Sequence, residues 1–166
     1  MKVRFWDFDG TLFDTPLPEV GRDIWLEKTG NKYPHTGWWG RVESMDLTVF
    51  DIKPIQTTLK MLNDDLDDKT IDYVLTSRLS KFTDIIKELL DRNNIKVRGV
   101  MTKNKYDKGE RIFQTVNELI GIYDITDVYF YDDRDKEILS ANQWKSDIET
   151  LGVKFHITKI ISDNHK

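Results

Sequence analysis

The sequence predicts an α/β fold, in which a central and mostly parallel sheet of five strands has helices on both faces. Short apolar segments alternate along the chain with segments whose apolar residues recur every three or four positions, as in amphipathic helices. Three of the predicted strands run directly into polar residues, a pattern typical of the ligand-binding edge of a parallel sheet. The length of 166 residues suits a single domain spanning residues 1–166.

Five segments have the composition of buried strands, because they are rich in apolar and β-branched residues and are bounded by turn-forming residues. They lie at residues 3–6, 71–75, 95–101, 128–131 and 153–157. Each pair of consecutive strands is separated by a helical pattern, and such crossovers are what parallel strands require.

The predicted helices are delimited by residues that favour helix ends. Pro18 suits the first position of a helix, Gly30 suits its end, and Pro54 begins the next helix. The other three helices are expected to begin at capping residues: Ser80, Asp107 or Asn104, and Asp135.

The longest irregular segment covers residues 31–51 and contains the sequence GWWGR. Long ordered loops tend to be functional. We therefore expect the region from about residue 15 to residue 53 to form a small cap or a substrate loop beside the first strand.

Composition restricts the classes of function. The formal net charge of -4 argues against binding of nucleic acid through overall charge. The absence of cysteine excludes disulfides and thiolate catalysis and makes the cytoplasm the expected location. No apolar run approaches the roughly 20 residues of a membrane-spanning helix, so we expect no membrane partner.

Polar side chains follow three of the predicted strands. Asp7 and Asp9 follow the first strand, Thr76 follows the second, and Asp132 and Asp133 follow the fourth. Because the carboxyl ends of parallel strands lie at the same edge of a sheet, these side chains are expected to converge there.

Converging carboxylates repel one another unless a positive charge lies between them. A divalent cation provides that charge, and a few oxygen ligands shared with a phosphate suit Mg²⁺. A carboxylate also serves as a nucleophile that forms an aspartyl-phosphate. Thr76 offers a hydroxyl, and Lys108, at the start of a predicted helix, offers a positive charge, so phosphoryl transfer is the favoured chemistry.

Other interpretations of the carboxylates fit less well. A calcium-binding loop that starts at Asp7 requires glycine at its sixth position and glutamate at its twelfth, where this chain has Leu12 and Pro18. A glycosidase pair stays possible but leaves the other polar clusters unexplained. Helix capping is the simplest alternative for Asp132 and Asp133.

The sequence DFDGTLFDT, residues 7–15, resembles the first motif of the haloacid dehalogenase (HAD) superfamily of phosphohydrolases. LTSR at 75–78 resembles the second motif and YDDR at 131–134 the fourth. The third motif is a single lysine, for which Lys108 is our choice and Lys103 and Lys105 are the competitors.

A narrower resemblance covers residues 2 to about 157. LFDTPLP, GWWGRVESMDLTVFDIKP, LTSRLSKF and YDDR are similar to the Swiss Army Knife RNA-repair-like branch of the HAD proteins. The chain has Ser77 where many relatives have glycine, a mild difference that leaves Thr76 in place.

The resemblance implies a Rossmann-like three-layer sandwich and a set of roles. Asp7 would attack phosphorus, Asp9 would act as general acid and base, and Thr76 and Lys108 would hold the phosphoryl oxygens. The implied Mg²⁺ ligands are Asp7, Asp9, Asp132 and Asp133. The implied substrate contacts are Gly10, Thr11, Ser77, Arg78, Trp38, Trp39 and Arg134.

The substrate is suggested by the space around the site. Residues 101–108 leave no room for a cap domain, so the site is expected to be open to a large substrate. Trp38 and Trp39 either stack on a base or pack under the loop. Residues 96–111 contain six basic and two acidic residues. We therefore expect a phosphatase for a nucleic-acid end or a nucleotide, with a small-metabolite phosphatase or a silent binding module as alternatives.

Overall fold

The computed structural model describes residues 1–161 and contains a five-stranded sheet in which every pairing is parallel. The strand order is β3-β2-β1-β4-β5. The strands are β1 (Lys2–Trp6), β2 (Thr70–Leu75), β3 (Gly99–Met101), β4 (Asp127–Asp132) and β5 (Lys154–Lys159). The predicted parallel α/β sheet is confirmed, and β1 lies at its centre between β2 and β4.

Five α-helices and two 3₁₀ turns surround the sheet. The helices are α1 (Pro18–Thr29), α2 (Gln56–Asp64), α3 (Thr83–Arg92), α4 (Lys108–Leu119) and α5 (Asp135–Thr150), and the 3₁₀ turns span Val42–Met45 and Ser80–Phe82. Helices α4 and α5 pack on one face of the sheet through Ile112, Val116 and Ile148. Helices α2 and α3 pack on the other face, which completes three layers. None of the helices within residues 1–161 has the length and apolar character needed to cross a membrane.

Several helix ends lie where the sequence predicts them. Pro18 is the first residue of α1, and Gly30 ends this helix with φ at 74°. Asp107 caps α4, because its side chain accepts a hydrogen bond from the Glu110 amide at 2.9 Å. Helix α5 begins at Asp135, as predicted.

Three predicted elements differ from the structure. Helix α2 begins at Gln56 rather than at Pro54, because Pro54 lies in an isolated bridge with Phe13. Ser80 begins a 3₁₀ turn, and α3 begins only at Thr83, because the tighter turn places Phe82 in the core with 1% of its surface exposed. The predicted third strand spans 95–101, but β3 covers only Gly99–Met101, because the chain turns at Asn94 (φ 55°) and directs Ile95 into the core.

The irregular segment at residues 31–52, which we call the aromatic segment, is ordered by its own buried side chains. Tyr33, Trp38 and Phe50 contact one another through their rings, with centroids 5.0 and 5.8 Å from Trp38. The Trp38 ring lies so close to α1 that a Cβ on Gly21 would come within 2.1 Å of it. Gly21 lowers helix propensity, but it permits this contact.

Trp38 packs under the loop, which is one of the two alternatives that the sequence leaves open for it. Trp38 exposes 4% of its surface, and its indole nitrogen donates a hydrogen bond to the Pro16 carbonyl at 3.1 Å. Its ring packs against Tyr33 and Phe50 within the core. The neighbouring Trp39 is half-buried.

Candidate active site

A tight turn after β1 places Asp7 and Asp9 at the carboxyl end of the sheet. The Asp7 amide extends the strand by one residue, since it donates to the Tyr131 carbonyl at 3.0 Å. The chain then turns around the Phe8 carbonyl, which accepts from the amides of Leu12 and Phe13, both at 3.1 Å. Gly10 has φ at 75°, a conformation that favours glycine. The sequence DFDGT therefore fixes two carboxylates on one rigid turn.

Asp7 lies in a buried group of polar side chains. Lys108, the first residue of α4, donates from its Nζ to Asp7 Oδ1 at 2.8 Å and to Asp132 Oδ2 at 2.7 Å. The Thr11 hydroxyl donates to Asp7 Oδ2 at 3.1 Å. Lys103 and Lys105, the other lysines considered for this position, make neither contact, so the structure places Lys108 beside Asp7.

Three carboxylates form a cluster whose negative charge is only partly balanced by nearby positive groups. Asp7, Asp132 and Asp133 each offer an oxygen, and these atoms lie within 4.8 Å of one another. Burial, and then the charge of Asp7, raise the pKa of Asp132 to about 8 and that of Asp133 to about 7. Lys108 neutralises only one of the three charges.

The cluster fits a divalent cation. Asp133 Oδ2 is buried and has no hydrogen-bond partner within residues 1–161. A buried carboxylate oxygen without a partner is costly unless an ion binds it. The donors are all hard carboxylate oxygens, and the uncompensated charge is that of a divalent ion, so the residues suit Mg²⁺.

Lys108 stays charged in these surroundings. Burial alone would lower its pKa, but the charges of Asp7 and Asp132 outweigh burial and raise the pKa above its usual value. The ammonium group therefore remains available to bind anionic oxygens.

Asp9 has different partners from Asp7. Arg78 donates from Nε to Asp9 Oδ2 at 3.0 Å and from Nη2 to Oδ1 at 2.7 Å. The Thr15 hydroxyl also donates to Asp9, at 2.7 Å. Among the described residues, the carboxylate cluster that could hold a metal consists of Asp7, Asp132 and Asp133, and the Asp9 carboxylate lies with Arg78 instead.

Arg78 also binds the aromatic segment and holds it beside Asp9. Its Nη1 donates to the Trp39 carbonyl at 2.9 Å and to the Ser44 hydroxyl at 2.8 Å. Its guanidinium lies 5.0 Å from the Trp39 ring centroid and 4.9 Å from that of Phe82. Arg78 exposes only 4% of its surface. The sequence suggests Arg78 as a substrate contact, whereas the structure directs most of its donors to the protein.

Thr76 is buried beside this turn and is held by two arginines. Its hydroxyl accepts from the Arg78 amide at 3.0 Å, and its carbonyl accepts from Arg111 Nη2 at 3.0 Å. Burial lowers the pKa of Arg111. From the sequence, Arg111 is recognised only as one of the basic residues in the stretch 96–111. Its spacing of three residues from Lys108 on α4 is the signal that both side chains lie on one face of the helix.

A cavity of about 210 Å³ opens above these residues. Asp7, Asp9, Ser77 and Lys108 form part of its wall. Further members of the wall are Trp39, Arg78, Lys103, Arg134 and Glu137. Gly10 and Thr11 belong to the turn beneath them. The structure thus brings the predicted site residues together with the exception of Trp38.

Comparisons with known proteins bear on the fold. No protein-family model and no curated protein matches the chain. Among solved structures, the chain is similar to a protein described as a hydrolase of the haloacid dehalogenase-like family from Streptococcus pneumoniae. The TM-score is 0.51 at 13% sequence identity, with 95% of this chain and 93% of that chain covered. The chain therefore has the fold of a haloacid dehalogenase-like hydrolase.

Proposed function

We propose that the protein is a Mg²⁺-dependent phosphomonoester hydrolase that works through an aspartyl-phosphate on Asp7. The observation that supports this most strongly is the arrangement around Asp7. Its carboxylate lies at the carboxyl end of the central strand, hydrogen-bonded to Lys108 and adjacent to Asp132 and Asp133. Phosphoryl transfer depends mainly on positioning and on neutralising charge, and this arrangement supplies both.

The first step is attack by an oxygen of Asp7 on phosphorus. Asp9 enters this step protonated, as the second step of the preceding turnover leaves it. The bond between phosphorus and the leaving oxygen breaks, and the leaving oxygen takes this proton from Asp9. Lys108 donates hydrogen bonds within the site and neutralises negative charge on the transferred group. Asp7, Asp132 and Asp133 would hold the cation, which supplies further positive charge to the phosphoryl oxygens.

The second step returns the enzyme to its starting state. Asp9 removes a proton from water, the water oxygen attacks phosphorus, and the bond to Asp7 breaks to release phosphate. Because Arg78 donates to both oxygens of Asp9, each protonation of Asp9 requires one of these hydrogen bonds to lengthen. Thr15 keeps the carboxylate oriented while this happens.

The substrate class we propose is a terminal phosphate of a nucleic acid or the phosphate of a nucleotide. Trp39 lies in the wall of the cavity, and stacking on an aromatic side chain is a common way in which proteins hold an unpaired base. The resemblance to the RNA-repair-like branch favours the same class. A small phosphorylated metabolite is the alternative.

A substrate panel tests the proposal. Oligonucleotides with a 3′- or 5′-phosphate, mononucleotides and sugar phosphates are incubated with Mg²⁺ and either the wild type or Asp7→Asn. We expect the nucleotide substrates to be hydrolysed best and Asp7→Asn to release no phosphate. Preference for sugar phosphates would favour the metabolite alternative. Absence of turnover with every substrate, or full activity of Asp7→Asn, would contradict the proposal.

A further inference from the structure

The mouth of the cavity has two cations that the reaction at Asp7 does not use. Lys103 and Arg134 line the cavity, and both are exposed. Within residues 1–161, neither forms an ion pair. By contrast, the two other cations of the wall, Arg78 and Lys108, are buried and bound to carboxylates.

The two exposed cations come from loops on either side of β1. Lys103 follows β3, and its amide donates to the Arg78 carbonyl at 2.8 Å, which fixes the loop against the end of β2. Arg134 follows β4, and its guanidinium lies 5.2 Å from the centroid of the Trp39 ring. This contact restricts the Arg134 side chain to the cavity rather than leaving it free in solvent.

The charge of the mouth is positive once the paired groups are set aside. Arg78 neutralises Asp9, and Lys108 lies between Asp7 and Asp132. Glu137 is the remaining acidic residue of the cavity wall, against both Lys103 and Arg134. Lys103 and Arg134 therefore outweigh Glu137 at the mouth, which attracts anions once a divalent cation balances the carboxylates of Asp7, Asp132 and Asp133.

The size of the cavity indicates how a substrate extends. Its volume of about 210 Å³ is below the roughly 300–1,000 Å³ of pockets that enclose a drug-sized ligand. Only the reacting end of a ligand is enclosed, and the rest must pass across the mouth. Any group attached to the reacting phosphate therefore meets Lys103 and Arg134.

We propose that Lys103 and Arg134 bind a second phosphate group of the substrate. The proposal rests on the phosphatase function proposed above and narrows its substrate class. Arginine forms paired hydrogen bonds with phosphate and lysine acts as a point charge, so this pair suits a phosphate better than an uncharged group. The second phosphate is either the phosphodiester next to a terminal phosphate or the other phosphate of a nucleoside bisphosphate.

The test compares kcat/KM for substrates that differ in their second phosphate. They are p-nitrophenyl phosphate, a nucleoside monophosphate, a nucleoside 3′,5′-bisphosphate and a phosphorylated dinucleotide. We expect the wild type to prefer the two-phosphate substrates over the monophosphate by about tenfold, which corresponds to one charge-assisted hydrogen bond. Higher salt concentration should reduce this preference.

Substitutions at the mouth provide the second part of the test. Lys103→Gln and Arg134→Gln should each reduce the preference, the double variant should abolish it, and Arg134→Lys should retain part of it. Lys105→Gln is the matched control, because Lys105 lies in the same loop, is exposed and does not line the cavity. This control should keep the wild-type preference.

The outcomes distinguish this proposal from the proposed function. A preference for the phosphorylated dinucleotide alone would identify the end of a nucleic-acid chain as the substrate. An equal preference for the nucleoside bisphosphate would show that a second phosphate is sufficient. If p-nitrophenyl phosphate is hydrolysed but no preference exists, or the double variant lowers every substrate equally, the second-phosphate site is overturned and the phosphatase is not. Absence of all turnover overturns both.

Discussion

Asp7 and Asp9 lie two residues apart on one turn, yet their surroundings differ in charge. Asp7 shares a single lysine with Asp132, and Asp133 adds a third carboxylate beside them, which leaves the cluster short of positive charge. Asp9 has an arginine of its own, which donates to both of its oxygens. One motif therefore places one carboxylate in a cluster with unbalanced negative charge and, beside it, a carboxylate that the protein itself neutralises.

The difference comes from which elements reach each residue. Asp7 faces α4 and the end of β4, which supply Lys108, Asp132 and Asp133. Asp9 faces the end of β2 and the aromatic segment, which Arg78 joins through the Trp39 carbonyl and the Ser44 hydroxyl. Asp7 thus belongs to the half of the site that contains the carboxylate cluster, and Asp9 to the half that contains the aromatic segment.

The largest expected effects come from replacing the two carboxylates separately. Asp7→Asn removes the nucleophile and should abolish turnover of every phosphomonoester. Asp9→Asn removes a general acid and should lower kcat by roughly 10²–10⁴-fold. The loss of kcat/KM, which reports on formation of the aspartyl-phosphate alone, should be smaller for Asp9→Asn with p-nitrophenyl phosphate, because p-nitrophenolate leaves without a proton. Steady-state kinetics with an aryl and an alkyl phosphate measure this, and equal losses for the two substrates would contradict the role of Asp9.

Removal of Arg78 should give the largest loss of stability. Arg78→Gln leaves Asp9 buried and without its cation and also releases Trp39 and Ser44, so we expect a cost of about 3–5 kcal/mol in the free energy of unfolding. Arg92→Gln is the control, since it breaks an exposed pair with Glu88 and should cost only about 0.5 kcal/mol. Urea denaturation measures both.

A double variant sharpens this prediction. Asp9→Asn combined with Arg78→Gln removes both charges, so it should be more stable than Arg78→Gln alone. If the two substitutions are additive, Asp9 and Arg78 are not coupled, and the loss of stability in Arg78→Gln does not come from leaving Asp9 without its cation.

The half of the site around Asp7 was the more predictable from sequence. Its residues follow strands, and strand ends are set by local apolar patterns and by the edge at which parallel strands terminate. Asp7, Thr76 and Asp132 therefore meet because of the fold alone. Lys108 was identified by its position at the start of α4, next to the capping Asp107.

The half of the site around Asp9 is less predictable from the sequence. The aromatic segment has no helical or strand period, so the sequence did not distinguish the buried Trp38 from the half-buried Trp39. The contact of Trp38 with Gly21 depends on how α1 approaches the segment, which no local pattern specifies. For the same reason the partners of Arg78, which come from three distant parts of the chain, were not foreseen.

The carboxylate cluster should make stability depend on pH and Mg²⁺. Folding raises the pKa of Asp132 and Asp133, so the folded state binds more protons than the unfolded state above about pH 4. Without a divalent cation, the free energy of unfolding should therefore fall as pH rises from about 4 to 8, where these two carboxyls ionise in the folded state.

Mg²⁺ should reverse this trend, because it binds the ionised carboxylates of the folded state. Melting temperatures measured with EDTA or with excess Mg²⁺ at several pH values provide the test. Asp133→Asn should raise the stability of the metal-free protein at pH 8 and reduce the gain from Mg²⁺. A metal-free protein that becomes more stable over this pH range would contradict the charge deficit around Asp7.

The smallest expected effects come from removing two hydroxyl groups, one of which donates to Asp7 and the other to Asp9. Thr11 donates to Asp7 at 3.1 Å and Thr15 donates to Asp9 at 2.7 Å, so Thr11→Val and Thr15→Val remove one matched hydrogen bond each. Each substitution should cost about 1 kcal/mol, or roughly fivefold in kcat. Thr11→Val should lower the rate equally for aryl and alkyl phosphates, because Asp7 attacks both. Thr15→Val should affect alkyl phosphates more, because only their leaving group needs the proton of Asp9. Identical behaviour of the two variants would mean that the two carboxylates do not have the separate roles proposed for them.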